Sequence, residues 1–236
     1  MKASVPSAAM VFAAGFGTRM GILTRDLPKP LLQIGESTLI DHTLDQVAEA
    51  GISRAVVNLH YRPDMIRRHL VSRRAPAIRF SLEEREILET GGGIVHARML
   101  LGAKVFATVN ADTVFVRSNP FTVLARAWLA TPSDALLLLV PIEQTLGYSR
   151  PGDFFLEGDG QVPRRRGDAD SAPFVYAGAQ IIRADAFDHA PSGPFSLNVI
   201  WDRLLAKGRV RAAIYPDAWV DVGTPDGLAL AEQALA

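Results

Sequence analysis

The chain has 236 residues, and its 25 Lys and Arg residues balance 25 Asp and Glu residues. Because the net charge is zero, no overall electric field would steer the protein to nucleic acid or to an anionic membrane. We therefore expect neither partner. The lack of cysteine excludes a disulfide scaffold, a thiolate zinc site and a cysteine nucleophile. Because no apolar run approaches the ~20 residues of a membrane span, and the N-terminal residues lack the apolar core of a secretory signal, we expect a cytoplasmic monomer or small homo-oligomer with one α/β domain.

The first motif is a turn that follows a buried strand. The apolar run Met10–Ala14 predicts the strand, and Gly15 and Gly17 follow at once, where the backbone can turn sharply and bring its amide groups against a ligand. Thr18 adds a hydroxyl donor, and Arg19 adds a planar set of donors that matches phosphate oxygens. A Gly-x-Gly after a strand is by itself more often a simple turn. The hypothesis of a phosphate-binding loop therefore depends on the residues that follow.

The residues after this loop exclude two common phosphate motifs. Met20 stands where a dinucleotide fingerprint needs a small residue, and the Gly-Lys-Ser/Thr of a Walker A loop does not occur. Lys29 lies between Pro28 and Pro30, which predicts an extended segment that holds the ammonium group at a defined place. Alone, Pro-Lys-Pro would be an ordinary loop. Beside a phosphate loop it predicts a second cation for the same anion.

The next elements alternate as a parallel sheet requires. Apolar residues at helical spacing predict a helix over Ser37–Ala50, which Gly51 ends as a C-cap. The apolar run Arg54–His60 predicts the second strand, so that strand, helix and strand form a right-handed crossover. A helix over Asp64–Arg74 and a strand over Ala77–Leu82 follow. The basic face of that helix is typical of a solvated surface and does not indicate nucleic-acid binding.

Three consecutive glycines, Gly91 to Gly93, precede an apolar segment, Ile94–Leu101, that predicts a helix. Glycines before a helix N-terminus let the backbone approach a flat ligand, with free amide groups behind it. A flexible loop is an equally good interpretation of the same three residues, and both stay open at this point.

A strand that ends in a carboxylate supplies a candidate metal ligand. The run Val105–Ala111 is apolar in its interior and stops at Asp112, which places this side chain at the C-terminal edge of a parallel sheet, where open α/β folds bind ligands. An aspartate there could also begin a turn or cap a helix. Since the phosphate loop reaches the same edge, an opposing carboxylate favours a divalent cation between them. Mg²⁺ takes one or two carboxylates together with phosphate oxygens and water.

A second carboxylate, near the C-terminal end, supports the same hypothesis. Asp221 stands between two valines in the segment Trp219–Pro225, and a buried charge is strongly disfavoured unless it is paired. This side chain therefore needs a cation. Asp112 and Asp221 together predict a magnesium site better than either residue alone.

The remaining elements predict further strands, a hairpin and a closing helix. The continuous apolar run within Asp134–Val140 is typical of a central strand, and the glycines of Tyr148–Val162 predict two strands joined by a hairpin turn. The other predicted elements are a helix over Phe121–Leu129, a charged loop over Pro163–Asp170, a strand over Ala172–Ile182, a helix over Phe195–Lys207, a strand over Val210–Tyr215 and a helix over Asp226–Leu235.

Together the motifs resemble those of the sugar-phosphate nucleotidyltransferases, which make nucleotide sugars. The resemblance rests on Gly-x-Gly-Thr-Arg-Met, Pro-Lys-Pro and Trp-x-Asp-x-Gly-Thr-Pro, and it extends from Met10 to about Leu230. The forms Leu88–Gly93 and Gly152–Phe154 are most similar to members that join UTP to N-acetylmuramate α-1-phosphate in peptidoglycan recycling. The resemblance implies a Rossmann-like three-layer α/β sandwich with a mostly parallel central sheet, a nucleotide-binding part at about 8–140 and a sugar-binding part at about 141–236.

The resemblance also implies the ligands and a role for each site residue. The substrates would be a nucleoside triphosphate and a sugar 1-phosphate, and the cofactor would be Mg²⁺ on Asp112 and Asp221. Arg19 would hold the triphosphate, and Lys29 would hold the sugar phosphate and the α-phosphate, which makes both catalytic. The residues that would bind nucleotide or sugar are Ala13, Ala14, Gly15, Gly17, Thr18, Glu83 and Gly91 (both at the base), Asn110 (at the ribose or sugar) and Gly152.

The sequence departs from the family's pattern at two places. Ala111-Asp112 replaces the usual Gly-Asp, and the Glu-Lys-Pro triplet, whose lysine contacts the sugar phosphate, is absent near Arg164–Arg166. One of these three arginines could take that role, or the segment could be a solvated basic turn. Two other functions stay open: an enzyme that uses GTP with mannose or heptose 1-phosphate, and a regulatory subunit that binds nucleotide sugars without catalysis.

Overall fold

The structure, a computed structural model, describes residues 5–131 and 133–235. Among these residues the strands are β1 (Ala8–Phe12), β2 (Gln33–Ile34), β3 (Ser37–Thr38), β4 (Arg54–Leu59), β5 (Ala77–Leu82), β6 (Val105–Asn110), β7 (Thr113–Phe115), β8 (Ala135–Pro141), β9 (Thr145–Leu146), β10 (Phe154–Glu157), β11 (Val162–Arg165), β12 (Phe174–Arg183), β13 (Val210–Ile214) and β14 (Trp219–Asp221). The helices are α1 (Leu39–Glu49), α2 (Pro63–Leu70), α3 (Glu89–Leu101), α4 (Pro120–Ala130), α5 (Asn198–Leu205) and α6 (Pro225–Leu235). Short 3-10 turns lie at Thr18–Thr24, Lys29–Leu31, Ile142–Gln144 and Ala184–Phe187.

The central sheet places the ends of β1, β4 and β6 side by side. β1 pairs in parallel with β4 and β6, and β5 pairs in parallel with β4. β12 runs antiparallel between β6 and β8, and β13 pairs in parallel with β8. The hairpin of β10 and β11 joins β12 through Phe154 and Phe174. Apart from β12 and β11, the strands of the sheet point one way, which confirms the predicted, mostly parallel sheet.

Helices cover both faces of this sheet, so the predicted three-layer sandwich is confirmed. Successive residues of β1 face opposite sides: Val11 belongs to an apolar cluster with α1, α2 and α4, whereas Met10 belongs to a cluster with α3 and α5. Because both faces are covered, β1 is a continuous apolar run rather than an alternating one. No helix in residues 5–131 and 133–235 is both long enough and apolar enough to cross a bilayer.

Most predicted elements are confirmed, with bounds that shift by a few residues. The helix predicted over 64–74 ends at Leu70, where the chain turns toward β5. The first part of the charged loop predicted over 163–170 is wrong, because β11 continues to Arg165 and pairs with β10 along its length. Local charge suggested a loop there, but pairing with the neighbouring strand decides the backbone conformation.

The glycines of α3 lie inside the helix, so the glycine loop predicted before it is wrong. α3 starts at Glu89, and the amide groups of Gly91 and Gly92 donate to the carbonyl of Phe195, at 2.9 and 3.2 Å. A Cβ on Gly91 would lie 2.3 Å from Phe195 Cε2. The close approach of two protein segments therefore explains these glycines.

Gly91→Ala is expected to destabilise the protein, although alanine is the better helix former. Helix propensity alone would favour alanine by about 1 kcal/mol. A Cβ 2.3 Å from Phe195 Cε2 overpacks this contact, and overpacking costs about 1–3 kcal/mol. Urea unfolding should therefore give the variant a lower free energy of unfolding than the wild type.

Val95→Ala is the matched control in the same helix. Val95 is 37% exposed, and its truncation should change the free energy of unfolding by no more than about 0.5 kcal/mol. A free energy of unfolding that is unchanged or higher in Gly91→Ala would contradict the packing described for this helix.

Candidate active site

A cavity of about 190 Å³ opens at the carboxyl end of the parallel strands. In the register of β1 and β6, Phe12 lies beside Asn110, so the residues after both strands reach the same edge of the sheet. A second cavity, of about 250 Å³, adjoins the first and shares Phe12, Gly15 and Asp112 with it. The first cavity is also lined by Ala13, Gly17, Thr18, Arg19, Lys29 and Gly223, and the second by Ala14, Asn58, Thr90 and Asn110.

Two contacts shape the loop after β1. Gly17 has a φ of 65°, and a Cβ on it would lie 2.9 Å from Lys29 Cβ, so glycine alone lets the loop pass this close to Lys29. Met20 is buried and packs in an apolar cluster with Val114 of β7. This anchor explains why a large residue stands where a dinucleotide fingerprint has a small one. A Cβ on Gly15 would meet open space, so the absence of a side chain there leaves the cavity free for a ligand.

Lys29 is the buried cation of the site. Its segment is not extended as predicted: Pro28 is extended, with φ −58° and ψ 136°, but a 3-10 turn begins at Lys29 and Leu31 N donates to Pro28 O at 2.8 Å. The turn still holds the ammonium group in place, with Lys29 Nζ 2.6 Å from Asp112 Oδ2. The lysine side chain is 7% exposed and that of Asp112 is 35% exposed. An ammonium group this deeply buried requires a carboxylate partner.

A small three-stranded sheet brings Asp221 to Asp112. β14 pairs antiparallel with β7, and Asp221 lies beside Thr113, the residue after Asp112. Burial raises the pKa of the Asp221 carboxyl above its usual range; Arg150 opposes this shift, and the negative charge of Asp112 adds to it. The structure thus places the two predicted metal ligands as neighbours at the edge of the first cavity.

Two arginines face Asp221 from different sides. Arg150 Nη2 lies 3.4 Å from Asp221 Oδ2, and the guanidinium carbon is 4.7 Å from the centre of the Tyr148 ring. A Cβ on Gly223 would lie 2.8 Å from Arg19 Nη1 and 3.2 Å from Asp221 Oδ1. Glycine at 223 therefore leaves room for Arg19 beside the carboxylate.

A buried chain of hydrogen bonds supports the phosphate loop from behind. Asn58 Oδ1 accepts from the amide of Ala13 at 2.8 Å, and Asn58 Nδ2 donates to Glu83 Oε1 at 2.7 Å. Glu83 Oε2 accepts from the amide of Leu88 at 2.8 Å. These hydrogen bonds connect the ends of β1, β4 and β5 with the start of α3. The start of the loop is therefore held through the two strands that follow β1 in the sheet.

The structure divides the predicted site residues into two groups. In the described part of the chain, Glu83, Gly91 and Gly152 line neither of these two cavities; Glu83 lines a separate cavity of about 380 Å³ at the end of β5. Glu83 is bonded behind the loop, and Gly91 packs against Phe195. Gly152 has a φ of 81°, and a Cβ on it would lie 2.1 Å from the carbonyl oxygen of Ala172, so it serves a tight turn. The residues at the two cavities and their edge are Ala13, Ala14, Gly15, Gly17, Thr18, Arg19, Lys29, Asn110, Asp112 and Asp221.

The three arginines considered for the missing lysine are engaged on the hairpin side of the molecule. Arg165 bonds Asp202 at 2.9 Å and lies over the Trp201 ring. Arg164 pairs with Glu157, and Arg166 donates to a backbone carbonyl. Each of the three guanidinium groups therefore already bonds a partner on the hairpin side.

Asn58 and Arg150 are two of the site residues that could not be assigned from the motifs. Asn58 is a polar residue inside the apolar run of β4, and this break in the pattern was a usable signal. Arg150 had no such signal, because an arginine in a glycine-containing segment reads as an ordinary solvated side chain. Its place beside Asp221 follows from the parallel pairing of β9 with β14.

The pair Asp112 and Asp221 forms a donor set that suits Mg²⁺. Within residues 5–131 and 133–235, no group of three or more His, Cys, Asp or Glu side chains is placed to hold an ion. Two neighbouring carboxylates leave most coordination positions to phosphate oxygens and water, which is how proteins commonly hold Mg²⁺. The raised pKa of Asp221 marks a carboxylate whose charge a nearby cation would stabilise.

Comparisons with known proteins match most of the chain. Residues 9–149 match the family described as a MobA-like NTP transferase domain. The chain is 41% identical over 237 residues to the N-acetylmuramate α-1-phosphate uridylyltransferase of Caulobacter vibrioides, with 98% of both chains covered. A protein of the same name from Neisseria meningitidis serogroup B is 32% identical over 219 residues, which cover 92% of this chain and 93% of that one. A UDP-glucose pyrophosphorylase solved with UDP-glucose has a similar fold, with a TM-score of 0.78, 16% identity and coverage of 96% of this chain and 97% of that one.

Substitutions of the two aspartates are expected to change stability in opposite directions at neutral pH. Because folding raises the pKa of Asp221, ionisation of this group lowers stability above the ordinary carboxyl pKa of 3.8, so Asp221→Asn should raise the melting temperature. Asp112→Asn should lower it, because the buried Lys29 loses its carboxylate partner.

Calorimetric melting over a range of about pH 4 to 8 checks both signs. The gain from Asp221→Asn should be largest at neutral pH and should shrink as the pH falls toward the ordinary carboxyl pKa. A melting temperature that Asp221→Asn lowers at neutral pH would contradict the burial of this charge.

Proposed function

The chain belongs to the sugar-phosphate nucleotidyltransferases, with a MobA-like NTP transferase domain, and on this premise we propose that it joins UTP to N-acetylmuramate α-1-phosphate, giving a UDP-sugar of cell-wall recycling and pyrophosphate. The observation that carries the proposal is the convergence of Arg19, Lys29 and the aspartate pair on one cavity. The 41% identity to a uridylyltransferase over nearly the whole chain supports the choice of substrates.

The reaction depends on alignment and charge neutralisation more than on proton transfer. A phosphate oxygen of the sugar 1-phosphate forms a bond to the α-phosphorus, and the bond from this phosphorus to the oxygen that bridges to the β-phosphate breaks. Pyrophosphate leaves with the electron pair of that bond. Because the attacking oxygen is already an anion at neutral pH, no general base is required. The rate enhancement then comes from positioning and from cations aimed at the developing charge.

The loop after β1 is suited to the triphosphate. Arg19 presents a planar set of donors at the first cavity, and the open space at Gly15 lets phosphate oxygens approach the backbone. The hydrogen bond from Ala13 to Asn58 holds the start of the loop. A loop held by bonds within the protein needs less ordering when a ligand binds.

Lys29 is suited to the α-phosphate and the incoming sugar phosphate. Its ammonium group is buried at the cavity wall and already lies beside Asp112, at the edge where the second acid also stands. Asp112 and Asp221 would hold Mg²⁺. When bound, Mg²⁺ neutralises and orients the phosphates.

A substrate panel tests the proposed function directly. Four nucleoside triphosphates are combined with several sugar 1-phosphates, and pyrophosphate release is measured. The expected result is the highest kcat/KM for UTP with N-acetylmuramate α-1-phosphate. Preference for GTP with mannose or heptose 1-phosphate would contradict the proposed substrates. Binding of a nucleotide sugar without turnover of any pair would contradict the enzyme and favour a regulatory subunit.

Lys29→Ala is expected to lower kcat by about 10²–10³-fold, the loss typical of removing one donor from a charge-stabilising site. The measurement is steady-state pyrophosphate release at saturating concentrations of both substrates. Lys207→Ala removes an exposed lysine just after α5 and should leave kcat unchanged. Near-normal turnover by a folded Lys29→Ala protein would show that the role given to this lysine is wrong.

A further inference from the structure

Arg150 is a cation at the site to which neither the motifs nor the proposed reaction gives a role. We propose that Arg150 and a divalent cation compete for Asp221, and that the displaced Arg150 binds the phosphate of the sugar 1-phosphate. The second step rests on the proposed function. The first step stands on the geometry around Asp221 alone.

The contact between Arg150 and Asp221 has the geometry of a replaceable ion pair. One nitrogen of Arg150 lies 3.4 Å from one carboxylate oxygen, and the Arg150 side chain is 60% exposed. Elsewhere in the protein Arg209 donates to both oxygens of Asp134, at 2.9 and 2.7 Å, which is the bidentate geometry of a firm pair. The Asp221 side chain is only 13% exposed, but a single contact from an exposed guanidinium is weaker than a bidentate pair, so a divalent cation can displace the guanidinium.

The backbone keeps Arg150 at the cavity edge when the contact is broken. Its segment follows β9, which pairs in parallel with β14 beside Asp221. The guanidinium also stacks on Tyr148, and the Tyr148 ring packs edge-on against Trp219 with ring centres 6.1 Å apart. A displaced Arg150 therefore stays on the tyrosine ring, close to the same edge, with its donors free for an anion.

The position of Arg150 favours the sugar phosphate over the triphosphate. Arg19, on the phosphate loop, stands near Asp221 Oδ1, whereas Arg150 contacts Oδ2. The two arginines thus reach the carboxylate from different segments, and Arg150 comes from the part of the chain after residue 141 that completes the sheet beyond β6. The guanidinium groups of Arg164–Arg166 bond their own partners on the hairpin side. Arg150 is the arginine beyond residue 141 that the structure places beside the aspartate pair.

The same logic applies to Lys29 and Asp112. Each acid of the pair faces a cation of the chain: Lys29 lies 2.6 Å from Asp112, and Arg150 lies 3.4 Å from Asp221. A divalent cation held by Asp112 and Asp221 would compete with both of these cations for the carboxylates. The cations are then directed to phosphate oxygens, which links metal binding to the preparation of the site for substrate.

Binding of Mn²⁺ to the substrate-free protein tests the competition. Arg150→Gln is expected to bind Mn²⁺ at least about two- to five-fold more tightly than the wild type by titration calorimetry, the factor that corresponds to a weak single-contact ion pair. Arg183→Gln is the control, because Arg183 is an exposed arginine whose ion pairs, with Asp185 and Asp134, do not involve Asp221. Its Mn²⁺ affinity should equal that of the wild type.

A double-mutant cycle separates competition from a general loss of positive charge. In the Asp221→Asn background, Arg150→Gln should no longer tighten Mn²⁺ binding, because the shared carboxylate is gone. An equal gain in both backgrounds, or no gain in the wild-type background, would overturn the competition.

Steady-state kinetics test the second step. Arg150→Gln is expected to raise the KM for the sugar 1-phosphate by on the order of ten-fold or more, as the loss of a charge-assisted hydrogen bond does, and to leave the KM for UTP within about two-fold. Arg150→Lys should recover part of the loss. An unchanged KM for the sugar 1-phosphate, or a rise in the KM for UTP alone, would overturn this step. A wild-type protein that turns over no substrate pair would contradict the proposed function and this step with it, while the Mn²⁺ titrations would still decide the competition.

Discussion

The pairing of β9, β14 and β7 in one small sheet is the constraint on which the site depends. The antiparallel register puts Asp221 beside Thr113 and so next to Asp112, and the parallel register puts the segment that carries Arg150 alongside the end of β14. Met20, from the phosphate loop, packs into the apolar cluster that supports this sheet. A shift of the strand pairing by one residue would turn these side chains to the opposite face of the sheet. The site therefore requires this strand register as well as the two aspartates.

The site keeps like charges close together, at a cost in stability that its cations offset. Burial and the charge of Asp112 both raise the pKa of Asp221, which means that its ionised form is disfavoured by the fold. Lys29 and Arg150 each face one of the acids. A nucleotidyltransferase needs this arrangement, because the same carboxylates that weaken the fold can hold a metal ion against phosphates. The unfavourable electrostatic interactions are therefore concentrated at the proposed active site.

Much of the fold could be predicted because its central strands are buried on both faces. The runs that became β1, β4 and β6 are mostly apolar, and such runs can be recognised as strands without knowing their partners. The glycines of α3 were misread, since the reason for Gly91 is a backbone contact with Phe195, about a hundred positions along the chain. The turn at Lys29 was misread for a similar reason: proline restricts a backbone, but the bonds around it decide which turn forms.

The sequence by itself determined the chemistry available to this protein: a glycine turn after a buried strand, a lysine between prolines, and aspartates at the ends of apolar runs. These features are local, and local patterns show which groups a segment carries and which edge of a sheet it reaches. Only the tertiary structure decided that Asn58 and Glu83 support the loop from behind, and that Arg150 rather than Arg165 stands beside Asp221. Such placements follow from strand register and packing between distant segments, which no short stretch of sequence contains.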